Sequence, residues 1–393
     1  MFTTEREASS RPDPAPLPVT AAARWRPFVP ALIYLGIRTL GVLVLLVASG
    51  GRLAGRLTAW DGRWYLKIAA HGYDLAPGLD AQGHLNPFTP RAFFPGYPVL
   101  VRWTGALTGL SETSAALLVS VVSGLFAAYG LARLGRIVRG GSARAGYLLV
   151  ALFAAAPMGV VLSMAYTEAL FCALAAWALV GVLERRLLLA GLCCAMAGLV
   201  RSSALALAIA VGLAALVCVP RERRRAVAAL ALAPSGFVAY LWWTGLRVHP
   251  EAGFFERMGT WSDLEWQGWS TKFDGGAATL QFLWHGLTAS DAMTLLTVAI
   301  LLASLVLLGV AAWRGLEWPL LVYGAAVIAL SLGSSGLMHA KPRLLLPAFT
   351  LLVPVAIGLA NRRRSTAAVT VAAAAVVSAW FGAYALTVWK YAI

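Results

Sequence analysis

The sequence predicts an all-α polytopic membrane protein, with about eleven transmembrane helices and two long external loops. Three observations predict it: 60% of the 393 residues are hydrophobic, only 12% are charged, and the apolar residues fall in long runs. Soluble domains carry about 25% charged residues, and a helix needs about 20 apolar residues to cross the hydrocarbon core. The net charge of +15 does not point to nucleic acid, because the basic residues form short clusters between apolar runs rather than a stripe on one folded face. Such clusters follow the positive-inside bias and face anionic lipid headgroups.

Residues 1–26 are polar and rich in proline, alanine and arginine, which predicts a disordered cytoplasmic N-terminus. Residues 27–393 form a single transmembrane domain. Its first span, 28–49, is long enough to cross the bilayer and is therefore not a cleavable signal peptide. External loop 1 follows, at about 50–113. Within it Leu57, Trp60, Trp64 and Ile68 recur at near-helical spacing, which predicts an interfacial helix lying along the membrane. Phe93 to Pro98, with two prolines and a glycine among aromatic residues, predicts a rigid turn.

Further spans are predicted at 114–133, 146–162, 167–183, 187–200, 203–219 and 226–247. External loop 2 occupies about 248–290, and the last spans lie at 291–313, 317–335, 343–360 and 366–389. The run 187–219 is too long for one upright helix, and Arg201-Ser202-Ser203 interrupts it. Splitting it there brings Arg133, Arg136, Arg139 and Arg144 to one side, with Arg185, Arg186, Arg221 to Arg225 and Arg362 to Arg364. The positive-inside bias makes that side cytoplasmic, with the C-terminus outside. Loop 2 then lies outside, with five acids against Arg257 and Lys272. The expected location is the plasma membrane. Cys172, Cys193, Cys194 and Cys218 lie in apolar spans without metal-ligand spacing, so they read as packing residues.

The most informative stretch is Trp60-Asp61-Gly62-Arg63-Trp64-Tyr65. A carboxylate among aromatic residues at headgroup depth gains proton affinity, which a general base needs. The alternative is a helix cap or a partner for Arg63 or Lys67. Trp60, Trp64, Phe93, Phe94, Pro95, Tyr97 and Pro98 are candidates for an apolar ledge that positions a polyprenyl chain. Tyr65 lies four residues beyond Asp61, on a neighbouring face. Glu168 sits at the lip of a span on the same side; its place in a first helical turn is also favourable in itself. Both are candidates for orienting an acceptor or sugar. His339, Lys341 and Arg343, with Arg201, put positive charge on the external side, where it is least expected. They read as a phosphate clamp, against the plainer reading of snorkelling helix ends. Arg38 is the one clear mid-span charge, with a partner inside the bundle as its only assignable role.

Five blocks carry a family resemblance: Trp60 through Tyr73, Ala92 through Pro98, Ser163 through Phe171, Gly198 through Ser203, and Lys341 through Pro347. In this order they resemble the PIG-V family of mannosyltransferases, the group with the second mannosyltransferase of glycosylphosphatidylinositol synthesis and its bacterial relatives. The alanine-, leucine-, glycine- and arginine-heavy composition looks bacterial, so the family's eukaryotic acceptor is not carried over. The resemblance implies a GT-C glycosyltransferase fold with an external active site and a polyprenyl-phosphate mannose donor. It also implies a catalytic acid in the first external loop, which Asp61 matches. Many GT-C enzymes carry two adjacent acids there, whereas Gly62 follows Asp61. No cofactor or metal bridge is therefore expected, a divalent metal being left open. The acceptor would be a glycolipid, glycan or protein hydroxyl, attacked with inversion while Asp61 takes its proton. The rival class is a transporter or flippase of lipid-linked sugars. Transporters place ionisable groups near the midplane at repeat interfaces, whereas the acids here lie at membrane edges or in loops. A structural or scaffolding role leaves the setting of Asp61 unexplained.

Overall fold

The computed structural model describes residues 25–76, 78–80, 82–86 and 88–392. The disorder expected for residues 1–26 thus lies, up to residue 24, outside the described residues. Helix α1 (Val29–Ala48) comes first, and loop 1 folds into α2 (Leu53–Leu57), α3 (Asp61–His71) and α4 (Gly96–Thr108). Six helices follow: α5 (Glu112–Ile137), α6 (Ala143–Ala154), α7 (Glu168–Leu183), α8 (Leu187–Gly198), α9 (Ala204–Cys218) and α10 (Arg223–Val248). Loop 2 contains α11 (Phe254–Trp269) and α12 (Ala277–Gly286). The chain ends with α13 (Ala292–Trp313), α14 (Trp318–Leu332), α15 (Lys341–Leu344), α16 (Val353–Ala360) and α17 (Arg364–Thr387).

Among the described residues five helices, α1, α5, α10, α13 and α17, are long and apolar enough to cross a membrane. A sixth counts if the bent pair 338–344 and 346–360 is one span. Helices α6 to α9 and α14 are apolar but only 10–17 residues long. The polytopic helical class stands, and the expected eleven spans include five below the usual spanning length. Helix α7 is buried on nearly every face, as expected of a helix that is apolar all round. Side chains such as Leu107, Val217, Val369 and Val376 point outward, where lipid replaces water.

Three departures from the expected spans have physical causes. Helix α6 stops at Ala154 because Pro157 has no N–H to continue it, and a 3-10 turn at Gly159–Ser163 completes the segment. The carbonyl of Ala154 accepts from Arg38 Nη1 at 2.9 Å, and Arg38 Nε donates to Ser163 Oγ at 3.0 Å. The mid-span arginine is thus a tie between α1 and this broken segment. The span expected at 343–360 is bent by 56°: Pro342, Pro347 and Pro354 each stand in the first turn of a new segment, where a missing N–H is tolerated, and none can continue the preceding helix. Loops 1 and 2 hold helices because α4 and α11 bury only one stripe, Tyr97 and Val101 in one, Thr260 and Leu264 in the other. Helices α8 and α10 approach closely: a Cβ at Gly236 would lie 1.9 Å from the Ala195 carbonyl oxygen. Small residues permit such contacts between membrane helices.

The arginine clusters meet at one end of the bundle. Arg133 Nε lies 2.5 Å from Glu184 Oε1, the Arg139 amide donates to Glu317, and Arg144 donates to the carbonyls of Ala360 and Arg362. The opposite end gathers α3, the first turn of α7, the break at 199–203 and α15. Reporter fusions after residues 140, 222 and 363 are expected to read as cytoplasmic, and fusions within 250–290 as external. A cytoplasmic reading for 250–290 would put the second end on the wrong side.

Candidate active site

Trp60 has a left-handed backbone, with φ at 56°, uncommon for a bulky residue. Such a conformation costs about 1–3 kcal/mol and persists where the surroundings hold it. It turns the chain so that Asp61 opens α3. Gly62 is buried against the turn that precedes α7, and a Cβ there would stand 3.3 Å from the Ala165 carbonyl oxygen and 3.5 Å from the Tyr166 ring. A second acid at this position would be driven into that backbone, away from the space Asp61 faces.

Asp61 is neither a cap nor a partner of Arg63 or Lys67. Its Oδ2 pairs with Arg343 Nη2 at 2.6 Å. Arg343 Nε stands 3.8 Å from Glu168 Oε1, and the same oxygen lies 2.7 Å from Arg201 Nη1. Four distant positions thus form one alternating chain of charge: Asp61, Arg343, Glu168, Arg201. Glu168 is 2% exposed and Asp61 22%, so Asp61 is the acid of this chain that a substrate can reach. Arg343 also lies over the Tyr166 ring at 5.2 Å, a cation–π contact that fixes its fork.

Asp61 and Arg343 open on a cavity of about 1360 Å³. Its walls include Trp60, Trp64 and Phe93 from loop 1 and Trp261, Glu265 and Trp269 from α11. Trp64 stacks on Phe93 at 5.6 Å, and Trp269 meets Phe93 edge-on at 5.3 Å. Among the described residues its lining has two acids, Asp61 and Glu265, against eight lysines and arginines. Such a surface suits an anionic ligand with an apolar part.

The expected site residues divide into those that face this cavity and those that do not. Asp61, Lys341, Arg343, Trp60, Trp64 and Phe93 line it. Tyr65 and Glu168 do not: Tyr65 is buried edge-on among Phe93, Tyr97 and Tyr166, and Glu168 lies beneath Arg343 and Arg201. Glu168 thus meets the two arginines, and Tyr65 the neighbouring rings. Phe94, Pro95, Tyr97 and Pro98 do not line the cavity either. Phe94, Tyr97 and Pro98 are buried, and Pro95 precedes α4. The Tyr97 hydroxyl donates to the Ala116 carbonyl, while the Phe93 carbonyl accepts from Tyr73 and Tyr240. The rigid turn is a foundation for Phe93.

The expected phosphate clamp is largely occupied by protein groups. Lys341 Nζ donates to the carbonyls of Ser331 and Ser334, each at 2.6 Å. Arg201 is held by Glu168. His339 stands outside the cavity lining, 3.0 Å from Thr294 Oγ1 and between the rings of Phe282 and Trp389. Among the described residues no three His, Cys, Asp or Glu side chains are placed to hold a metal ion.

Glu265 escaped the sequence reading, which counted it only in the charge of loop 2. The available signal was the one that marked Asp61: an acid between tryptophans, here Trp261, Trp266 and Trp269. Burial, reinforced by the charge of Asp61 and opposed by Arg343, pushes its carboxyl up from 4.5 to about 8. Folded protein therefore holds this proton more tightly than the unfolded chain, so stability falls as pH rises from about 4.5 through about 8. Ionisation also adds negative charge beside Asp61. Affinity for an anionic ligand of the cavity is expected to drop as pH passes about 8, and Glu265→Gln is expected to flatten both profiles. Identical pH profiles of thermal unfolding for parent and variant would exclude a titrating Glu265.

No family model matches the chain. The chain is similar to GPI alpha-1,6-mannosyltransferase 2 of Cricetulus griseus and of Rattus norvegicus, with 36% identity over 163 residues in each case. The likeness is to a mannosyltransferase. The matched stretch covers 39% of this chain and 30% of the length of each relative.

Proposed function

We propose that the protein is an integral membrane mannosyltransferase. It moves a mannosyl group from a polyprenyl-phosphate donor to an acceptor hydroxyl at the external end of the bundle, with inversion. The observation that carries this reading is Asp61, the open end of a buried ion chain, facing a large cavity that is basic and aromatic together. The likeness to named mannosyltransferases supports the transferred group, and the resemblance to the PIG-V family supports a GT-C fold.

In this reading the lipid enters along Trp60, Trp64 and Phe93. Arg343 holds the Asp61 carboxylate in place, and Glu168, fixed by Arg201, holds Arg343. Asp61 accepts the proton of the acceptor hydroxyl as its oxygen attacks the anomeric carbon. The sugar–phosphate bond breaks on the opposite face, leaving polyprenyl phosphate. Cations lining the cavity stabilise the negative charge that builds on the departing phosphate. The acceptor is a glycolipid, glycan or protein hydroxyl.

The transporter reading gains nothing from the one clear mid-span charge. Arg38, the mid-span charge a transport path would use, is bonded to Ser163 and the Ala154 carbonyl. Purified protein in detergent, given radiolabelled polyprenyl-phosphate mannose and a membrane lipid extract, tests the proposal. Label moving to a new product is expected; donor recovered intact, with label crossing proteoliposome bilayers instead, would select transport.

A further inference from the structure

We propose that the phosphate of the lipid-linked substrate is seated by the basic wall of loop 1, with Arg52 and Arg56 at α2 and Arg63 and Lys67 on α3. This rests on the mannosyltransferase reading and names the phosphate subsite of its cavity. All four side chains line the cavity that Asp61 faces. Arg63 and Lys67 are four apart on α3, and Arg52 precedes α2 four residues before Arg56, so each pair projects from a single face.

None of the four pairs with a carboxylate among the described residues. The cations at the α15 side differ. Arg343 stands between two carboxylates, and the Lys341 ammonium is held by two carbonyls. Four cations on one cavity, none of them paired with a carboxylate, repel one another, and an anion among them relieves that repulsion. Arginine forks suit phosphate oxygens. Trp60 and Trp64 interleave with the four, and Lys67 lies 5.4 Å over the Trp64 ring. An apolar chain would run beside the phosphate on these rings. Asp61 sits between Arg56 and Arg63 in sequence and lines the same cavity, which places the attached sugar in the space the base faces.

The shared chemistry is a phosphate ester on a lipid, and an ordinary anionic phospholipid offers it too. The test titrates the purified full-length protein in detergent with polyprenyl phosphate and separately with phosphatidylglycerol, reading Kd by native mass spectrometry. Arg56→Ala/Arg63→Ala is expected to weaken polyprenyl phosphate at least tenfold and to change phosphatidylglycerol little. Arg56→Lys/Arg63→Lys should recover part of the loss. An unchanged Kd for polyprenyl phosphate in the alanine variant would overturn the seat, and so would an equal loss for both lipids. The readout does not need catalysis. If the seat binds as expected while no sugar is transferred, the enzymatic reading fails and the phosphate site remains. If transfer occurs but the alanine variant binds like the parent, only the seat is wrong.

Discussion

Asp61→Asn is expected to lose about 10²–10⁴-fold in transfer rate, the usual contribution of a general base, with a smaller loss of stability than Arg343→Ala, because Arg343 keeps Glu168 as a counter-charge. Asn keeps the shape of the side chain and can still accept from Arg343, but it has no basicity. Were Asp61 structural, the natural role would be a helix cap, where Asn serves about as well as Asp. The geometry leaves little for such a role: Asp61 begins α3, makes no cap bond, and turns its carboxylate to Arg343 and the cavity. Donor binding should be largely kept. A folded Asp61→Asn protein that transfers sugar at the parent rate would remove Asp61 from the chemistry.

Arg343→Ala is expected to cost both stability and activity. Removing one partner of a buried ion pair typically costs about 3–5 kcal/mol, because the remaining charge is left uncompensated. Here the substitution strands Glu168 partly and Asp61 wholly. An Asp61 carboxylate without its cation loses its orientation, and transfer should fall at least tenfold, the scale of one charge-assisted contact. Arg343→Lys keeps the charge but lacks the fork that reaches both carboxylates, so it should fall between. Arg364→Ala is the control: Arg364 is exposed at the start of α17 and should leave thermal unfolding and transfer at parent values. Arg343→Ala and Arg364→Ala behaving alike in both measurements would sink the assigned role of the ion chain.

The sequence disclosed the members of this site better than their relations. Asp61 stood out because aromatic residues crowd one acid beside a span. Arg201 stood out because a polar triplet, Arg201-Ser202-Ser203, interrupts an apolar run. Arg343 did so because positive charge is out of place on that side. No local pattern could show that these join through Glu168, since the four residues come from separate elements between α3 and α15. Nor could it show which aromatic residues face the cavity: the prolines around Phe94 and Tyr97 erase the periodicity that would separate a buried face from an open one. Helix α11 was hidden for a related reason, because averaged hydropathy finds uniformly apolar helices and passes over amphipathic ones. Glu265 was hidden with it. The bend at 338–360 was legible in principle from Pro342, Pro347 and Pro354, but length and hydropathy alone read one straight span.

The most direct measurement is the linkage of the product formed by purified protein from ¹³C-labelled mannosyl polyprenyl phosphate of β configuration. Single displacement with Asp61 as base predicts a new sugar bond of α configuration, read from the one-bond carbon–proton coupling at the anomeric centre. A β-linked product would contradict direct displacement, and no product at all would contradict mannosyl transfer itself.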